Sequence, residues 1–319
     1  MASNSAGATN SNAAVLTVNA PILAVSTLVS VAPAGIPPNN RSTLPSISAD
    51  GNLVAFRSDG TNLVPGTAGF GHAYLRNRAT GVTTLVNRSL AGGESSRDVN
   101  SVELAAGGRY AVFTSLANDL VAGDTNNVND VFLRDLQTGT TTRQNVLPDG
   151  SQDVDSGNAI GAEPVLSADG RWLLMSSGAR LAGGAYDGIR RLFLRDTQAG
   201  LTREVPTDAG GFAGYSISSD GRWVMWMGVS GSGAGTMHNI HFYDLQPNAA
   251  GGHDTGVAFS ASGDTTAFPV VGLGGRFSMS ADGRQLAVTV RSSTLLGGAA
   301  ASYFQVVVFD RNEANPALA

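Results

Sequence analysis

The 319-residue sequence has no cysteine and no lysine. Without thiols there is no disulfide framework, no thiolate metal site and no cysteine nucleophile. All 20 basic residues are arginine, set against 25 acids for a net charge of −5. That balance argues against a nucleic-acid partner, because such affinity rests on basic contacts to phosphate. No run reaches the roughly 18 consecutive apolar residues of a membrane-spanning helix. Glutamate is also scarce, most of the acids being aspartate, which bonds its own backbone in turns. What is abundant is glycine (41) with 12 prolines and a hydrophobic fraction of 42%. These are the ingredients of a turn-dense globular fold.

One motif recurs five times: Ser46-Ile-Ser-Ala-Asp-Gly-Asn-Leu-Val-Ala-Phe56, Glu103-Leu-Ala-Ala-Gly-Gly-Arg-Tyr-Ala-Val-Phe113, Val165-Leu-Ser-Ala-Asp-Gly-Arg-Trp-Leu-Leu-Met175, Ser216-Ile-Ser-Ser-Asp-Gly-Arg-Trp-Val-Met-Trp226 and Ser278-Met-Ser-Ala-Asp-Gly-Arg-Gln-Leu-Ala-Val288. Its turn positions Asp50, Gly107, Asp169, Asp220 and Asp282 are 57, 62, 51 and 62 residues apart. A second motif keeps step with it: His72–Asn77, Asp130–Asp135, Arg191–Asp196, Asn239–Asp244 and Gln305–Asp310, the clearest copies reading Phe-Leu-Arg-Asp. A fixed internal period marks a repeat architecture. Each unit reads as four strands. The first ends at an Asp-Gly turn, expected as a two-residue hairpin turn with positive dihedrals at both residues. The second is apolar on both faces, which requires a sheet covered on both sides. The third carries Phe-Leu-Arg-Asp and the fourth is Thr-rich. Four-stranded sheets repeated face to face around an axis form a β-propeller. The fold expected is all-β, a five-bladed propeller.

The fifth repeat runs short of a fourth strand. The segment Ser26–Gly35 matches fourth-strand regions elsewhere, Thr83–Gly92 and Thr141–Gly150. An N-terminal strand over 26–34 is therefore expected to complete the fifth blade and close the ring, removing exposed edges. The propeller is assigned to residues 22–319. The segment 1–21, ending Ala13-Ala-Val-Leu-Thr-Val-Asn-Ala-Pro21, resembles the last hairpin of a bacterial immunoglobulin-like domain. It is expected to be a remnant of such a domain, or a linker, within a longer modular chain.

The Ser-x-Ser-Ala-Asp-Gly-Arg copies and the phrase Asn118-Asp-Leu-Val-Ala-Gly-Asp-Thr-Asn-Asn-Val-Asn-Asp-Val-Phe-Leu-Arg-Asp135 resemble the TolB-like propeller repeats of bacteria over roughly residues 26–310. Six blades are usual in TolB, so five is a departure. The resemblance implies a protein-, peptide- or glycan-binding module, or one that gates an attached hydrolase; the immunoglobulin-like remnant and the polar Thr/Asn-rich surface point to an exported setting outside the cell, on its surface or in the periplasm.

Three chemistries can be weighed on the residues. The run Asp124-Thr-Asn-Asn-Val-Asn-Asp130 alternates oxygen donors as a calcium loop does, and Asp124, Asn126, the Val128 carbonyl and Asp130 could supply four of the six to eight oxygens calcium takes. It lacks the Gly and the final Glu of an EF-hand, and the competing expectation is an Asx-turn loop. A glycosidase needs at least a pair of carboxylates, and the inner-strand positions Ser46, Glu103, Val165, Ser216 and Ser278 hold one acid. Glu103 is thus a candidate ligand contact in the channel and not a complete acid–base pair. Of the four histidines, His238 and His241 fall on opposite faces of a strand. Trp172, Trp223 and Trp226 take repeat positions shared with Leu53, Tyr110, Phe56 and Phe113, so core packing is expected before sugar stacking. Arg76, Arg134 and Arg195 are expected to pair with carboxylates or carbonyls between blades.

The reading is a non-catalytic binding or structural module of an exported bacterial surface protein, contacting a protein or glycan through loops at one end. The alternatives are a carbohydrate-active enzyme around Glu103 and a subunit of an extracellular assembly that associates with itself.

Overall fold

The computed structural model describes residues 26–68, 71–152, 163–183, 189–207, 212–230, 237–247, 253–260, 278–290 and 305–310; the segment 1–21 lies outside them. No α-helix occurs among the described residues. The first sheet is β1 (Ser42–Ile47), β2 (Leu53–Ser58), β3 (His72–Asn77) and β4 (Val82–Leu85). The second is β5 (Val99–Leu104), β6 (Tyr110–Ser115), β7 (Asp130–Asp135) and β8 (Thr140–Arg143). The third is β9 (Val165–Leu166), β10 (Trp172–Ser177), β11 (Arg191–Asp196) and β12 (Leu201–Val205). The fourth is β13 (Phe212–Ile217), β14 (Trp223–Ser230), β15 (Met237–Pro247) and β16 (His253–Ser260). The fifth shows β17 (Ser278–Met279), β18 (Gln285–Val290) and β19 (Gln305–Asp310). Every sheet is an antiparallel meander in chain order.

The Asp-Gly turn differs from the expected two-residue form. Only the glycine takes a positive φ, 72° at Gly51, while Asp50 does not. Ser48 N–H bonds Leu53 O, so the loop spans four residues, and Gly51 N–H returns to Ser48 O. The second sheet makes the same turn without serine or aspartate, Ala105 N–H bonding Tyr110 O and Gly108 N–H bonding Ala105 O, and elsewhere side chains reinforce it. Ser48 Oγ donates to Asp50 Oδ1 (2.6 Å), which also accepts from Asn52 N–H (3.0 Å), while Leu53 N–H donates to Ser48 Oγ (2.9 Å). The same cage recurs at Ser167/Asp169 and Ser280/Asp282.

The two sequence motifs keep step because they bond each other. The turn arginine meets the aspartate that ends the third strand: Arg109–Asp135 (2.8 Å), Arg171–Asp196 (2.8 Å), Arg222–Asp244 (2.7 Å) and Arg284–Asp310 (2.8 Å). In the first sheet both members are asparagine, Asn52 and Asn77. Of the strand arginines among the described residues, Arg195 alone shows a bond to a carbonyl of a neighbouring sheet, as expected of all three. Arg76, Arg134 and Arg195 donate to Thr83, Thr141 and Thr202 of their own sheets (3.0, 2.9 and 2.8 Å), because those threonines stand directly opposite in the ladder. Arg195 also reaches Gln144 of the preceding sheet.

The second strands β2, β6 and β10 each serve two cores, one per face, as their two-sided apolar pattern requires. Phe113 packs in the core between the first and second sheets, Val112 in the next; Leu173 faces back and Leu174 forward. The inner turns are also chained. Ala49 N–H bonds Ala106 O, Gly107 N–H bonds Ala168 O, Ala168 N–H bonds Ser219 O and Asp220 N–H bonds Ala281 O. Beside each link, the residue opening the second strand covers the next turn's glycine: Leu53 on Gly108, Tyr110 on Gly170, Trp172 on Gly221 and Trp223 on Gly283. Trp172 and Trp223 are thus sheet-to-sheet packing, each also lying under an arginine 4.9 Å from the ring centre.

Residues 26–35 do not form the expected strand. They end in a 3-10 turn at Pro33–Gly35. With no ladder partner, the segment closes its backbone locally: Val31 N–H to Val29 O, Ala32 N–H to Ile36 O and Gly35 N–H to Ala32 O. The same three bonds recur after β4, at Arg88, Ser89 and Gly92, so the repeat alignment that suggested a fourth strand captured a genuine turn.

Gly221→Ala tests the inter-sheet packing. A Cβ there would lie 2.5 Å from Trp172 Cδ1 at a φ of +72°, whereas Gly66 (φ +83°) has nothing within 4 Å. Gly66→Ala should cost about 1 kcal/mol from backbone strain alone, and Gly221→Ala about 2–3 kcal/mol or more, read by urea denaturation. Equal costs would refute the steric role of Trp172.

Candidate functional site

Antiparallel meanders send short turns to one end of each sheet. The long loops between second and third strands, and the connections to the next sheet, go to the other end. The calcium candidate lies at this loop end of the second sheet. The structure brings Asp124, Asn126 and Asp130 together but adds a residue the sequence reading missed. Arg143, the last residue of β8, sets Nη1 3.4 Å from Asp124 Oδ1 and 3.6 Å from Asp130 Oδ2, and donates to Gln152 Oε1 at 2.7 Å. Asp130 is 1% exposed. Its Oδ1 accepts from Asn145 Nδ2, whose own Oδ1 takes Val131 N–H (2.9 Å). Burial and the neighbouring Asp130 carboxylate push Asp124 up to about 6, and burial raises Asp130 as well.

This donor set falls short of a calcium shell. Asn126 Oδ1 already accepts from Val128 N–H at 3.2 Å. Among the described residues no group of three or more His, Cys, Asp or Glu converges, and the Arg143 guanidinium already sits as a cation between the two acids.

The repeat explains Arg143. The positions of Asp130 and Arg143 are held by Arg191 and Glu204 in the third sheet, the same ion pair with its charges exchanged (3.2 Å). In the first sheet they are His72 and Leu85, and His72 Nε2 faces Glu94 Oε2 at 2.9 Å, Glu94 standing where Gln152 stands in the second. Aligning Arg143 with Leu85 and Glu204 would have revealed it.

Glu103 sits on β5 at the inner edge and accepts from Leu166 N–H of the third sheet (3.4 Å). Ser46, its counterpart, makes the same link one junction earlier, accepting from Leu104 N–H (3.0 Å) and donating to Leu104 O. Both bridge adjacent first strands.

Arg143→Leu leaves two buried carboxylates uncompensated. A loss of about 3–5 kcal/mol in unfolding free energy is expected by chemical denaturation; a loss below about 1 kcal/mol would contradict the ion-pair reading.

No protein-family model and no curated protein matches the chain by sequence. Solved structures do match in shape. TolB from Acinetobacter baumannii is 16% identical with a TM-score of 0.50, covering 85% of this chain and 52% of its own. One of two prolyl endopeptidases analysed for inter-domain dynamics is 13% identical with a TM-score of 0.51, covering 85% and 34%. The β-propeller domain of the Trilobed protease from Pyrococcus furiosus is 12% identical with a TM-score of 0.49, covering 86% and 70%. The chain therefore spans about half the length of that TolB and about a third of that endopeptidase. At these identities the likeness speaks to fold alone: the described residues, all-β in four four-stranded and one three-stranded antiparallel sheet, have the fold of a TolB-like β-propeller.

Proposed function

We propose that the chain is a non-catalytic binding or structural module of an exported bacterial surface protein, meeting a protein or glycan with its loop end. The observation that carries this reading is how the repeated polar groups are used. Ser46 and Glu103 bridge neighbouring sheets, and the motif aspartates hold turn arginines. Such a chain is a rigid frame presenting loops. No helix of the described residues is long and apolar enough to cross a membrane.

The same proposal takes the frame to be a closed ring of five blades, with residues 26–34 meeting β19. Leu75 packs with Leu104, Leu133 with Leu166, and Leu194 with Ile217, each pair inside one inter-sheet core. The fourth pair in the series is Phe242 and Met279, and the fifth, which would close it, is Val308 and Ile47, 60% and 57% exposed. Two apolar positions equivalent to buried ones, at the two ends of the series, support a seam between them.

Two further assignments belong to this reading as proposals. Glu103 would contact ligand at the channel. Calcium at Asp124, Asn126, Val128 and Asp130 would require Arg143 to swing away. One experiment covers them: the purified chain is screened against glycans and envelope proteins, with excess calcium and with chelator, alongside glycoside hydrolysis. Saturable binding without turnover is expected. Calcium dependence abolished by Asp124→Ala would assign the metal. Turnover lost in Glu103→Gln would overturn the non-catalytic reading in favour of a carbohydrate-active enzyme.

A further inference from the structure

The first-sheet corner around His72 is built differently from its counterparts. His72 is fully buried at the start of β3. Asn87 Nδ2 lies 2.9 Å from His72 Nδ1 and donates to Ser95 Oγ (2.6 Å), which in turn donates to Arg97 O (2.9 Å). Asn87 Oδ1 accepts Ala73 N–H (2.9 Å). These bonds fix the amide: its oxygen serves the backbone and its nitrogen faces the ring. His72 Nδ1 must then be an unprotonated acceptor, leaving the proton on Nε2, which faces Glu94. Glu94 Oε2 also accepts Ala68 N–H (2.7 Å). The imidazole thus ties β3 to the connection 86–98, and Glu94 ties that connection to the loop before β3.

The chain repeats this arrangement with different acceptors. Asn145 donates to Asp130 in the second sheet through the same geometry, its Oδ1 on Val131 N–H. In the third sheet the equivalent of His72 is Arg191, which can only donate, and the equivalent of the asparagine is Pro206. The asparagine accompanies an acceptor and is replaced where the partner is a donor.

We propose that His72 is an acid-sensitive latch that releases the 86–98 connection from the first sheet when its Nδ1 is protonated. A proton on Nδ1 sets two N–H donors against each other, since Asn87 Nδ2 also points there. Flipping the amide moves the conflict to Ala73 N–H. The bonds through Asn87 to Ala73 and Ser95 must open, and the connection bearing Leu90, 68% exposed at its tip, loosens from the first sheet while Leu90 N–H and Ser96 still hold it to Asp119 of the second. Aspartate does not share this behaviour, because protonation of Oδ2 leaves Oδ1 an acceptor.

The charged groups facing His72 are Glu94 and Asp98 from the connection and Arg57 from β2. Burial outweighs the two acids and holds the imidazole below its ordinary value. For a base with a lowered folded pKa, stability is present above the unfolded value and is lost as pH falls below it. The window therefore opens below about pH 6.5.

Hydrogen exchange of the full chain, corrected for intrinsic rates, tests this at pH 7.5 and at lower pH. Exchange at Ala73 and across 86–98 should rise by up to roughly tenfold for each pH unit as pH falls from about 6.5 towards the folded pKa of His72, and level off below it, and His72→Asp should abolish the rise. Nitrogen-15 spectra of the wild-type ring, which need no variant, should find Nδ1 unprotonated at pH 7.5. A doubly protonated ring with the connection still protected, or an equal rise in His72→Asp, would overturn the proposal.

Discussion

The fold depends on one constraint: each inner turn must lie against the turn of the next sheet closely enough to share a backbone hydrogen bond. The four observed links run from Ala49, Gly107, Ala168 and Asp220. That approach dictates a glycine with positive φ in every turn, a flat or branched side chain above it, and a second strand apolar on both faces. Gly107 shows how tight the fit is. A Cβ there would meet Ala168 O at 2.6 Å, and this copy, Ala105-Ala-Gly-Gly, has neither the serine nor the aspartate of the cage used in the others. The link is directional, donor on one sheet and acceptor on the next. A directional interface that rotates by a fixed step either closes into a ring or continues into an open array.

Much of this was legible in the sequence because the period was strict. Strand order, the two-faced second strands and the role of the tryptophans all follow from residues returning at the same position. The turn type was not legible. Asp-Gly is compatible with several turns, and the four-residue form adopted is shared by the Ala105–Tyr110 turn, which has neither serine nor aspartate; where serine is present its hydroxyl completes a cage around that form. The partners of Arg76 and Arg134 were also misjudged, whereas Arg195 does reach a side-chain carbonyl, that of Gln144, in the preceding sheet. Cross-strand threonines are nearer than anything in the next sheet, and only the ladder register reveals that.

The corner at the start of each third strand was the least legible part. Its partners arrive from the fourth strand and the following connection, so no local motif contains them. Read across sheets, the position carries His72, Asp130 and Arg191, each neutralised by a different neighbour. The fold needs a satisfied polar group there, and a buried charge without a partner would be costly. The Asp124–Asp130 run resembles a cation loop because it spaces oxygens along a turn, yet the cation the structure supplies is Arg143. Glu103 likewise draws notice as the lone inner acid, and its observed bond is the one Ser46 makes a junction earlier.

A rigid ring presenting loops requires that the series of sheets close on itself. The chain has no cysteine, so thiols placed at Asn52 and Gln285, exposed positions on either side of the seam, can carry spin labels uniquely. A closed ring predicts a single narrow, short distance that does not change on dilution. A long or broad distribution, or a short distance that appears only as protein concentration rises, would contradict closure and leave the seam open or filled by a second copy.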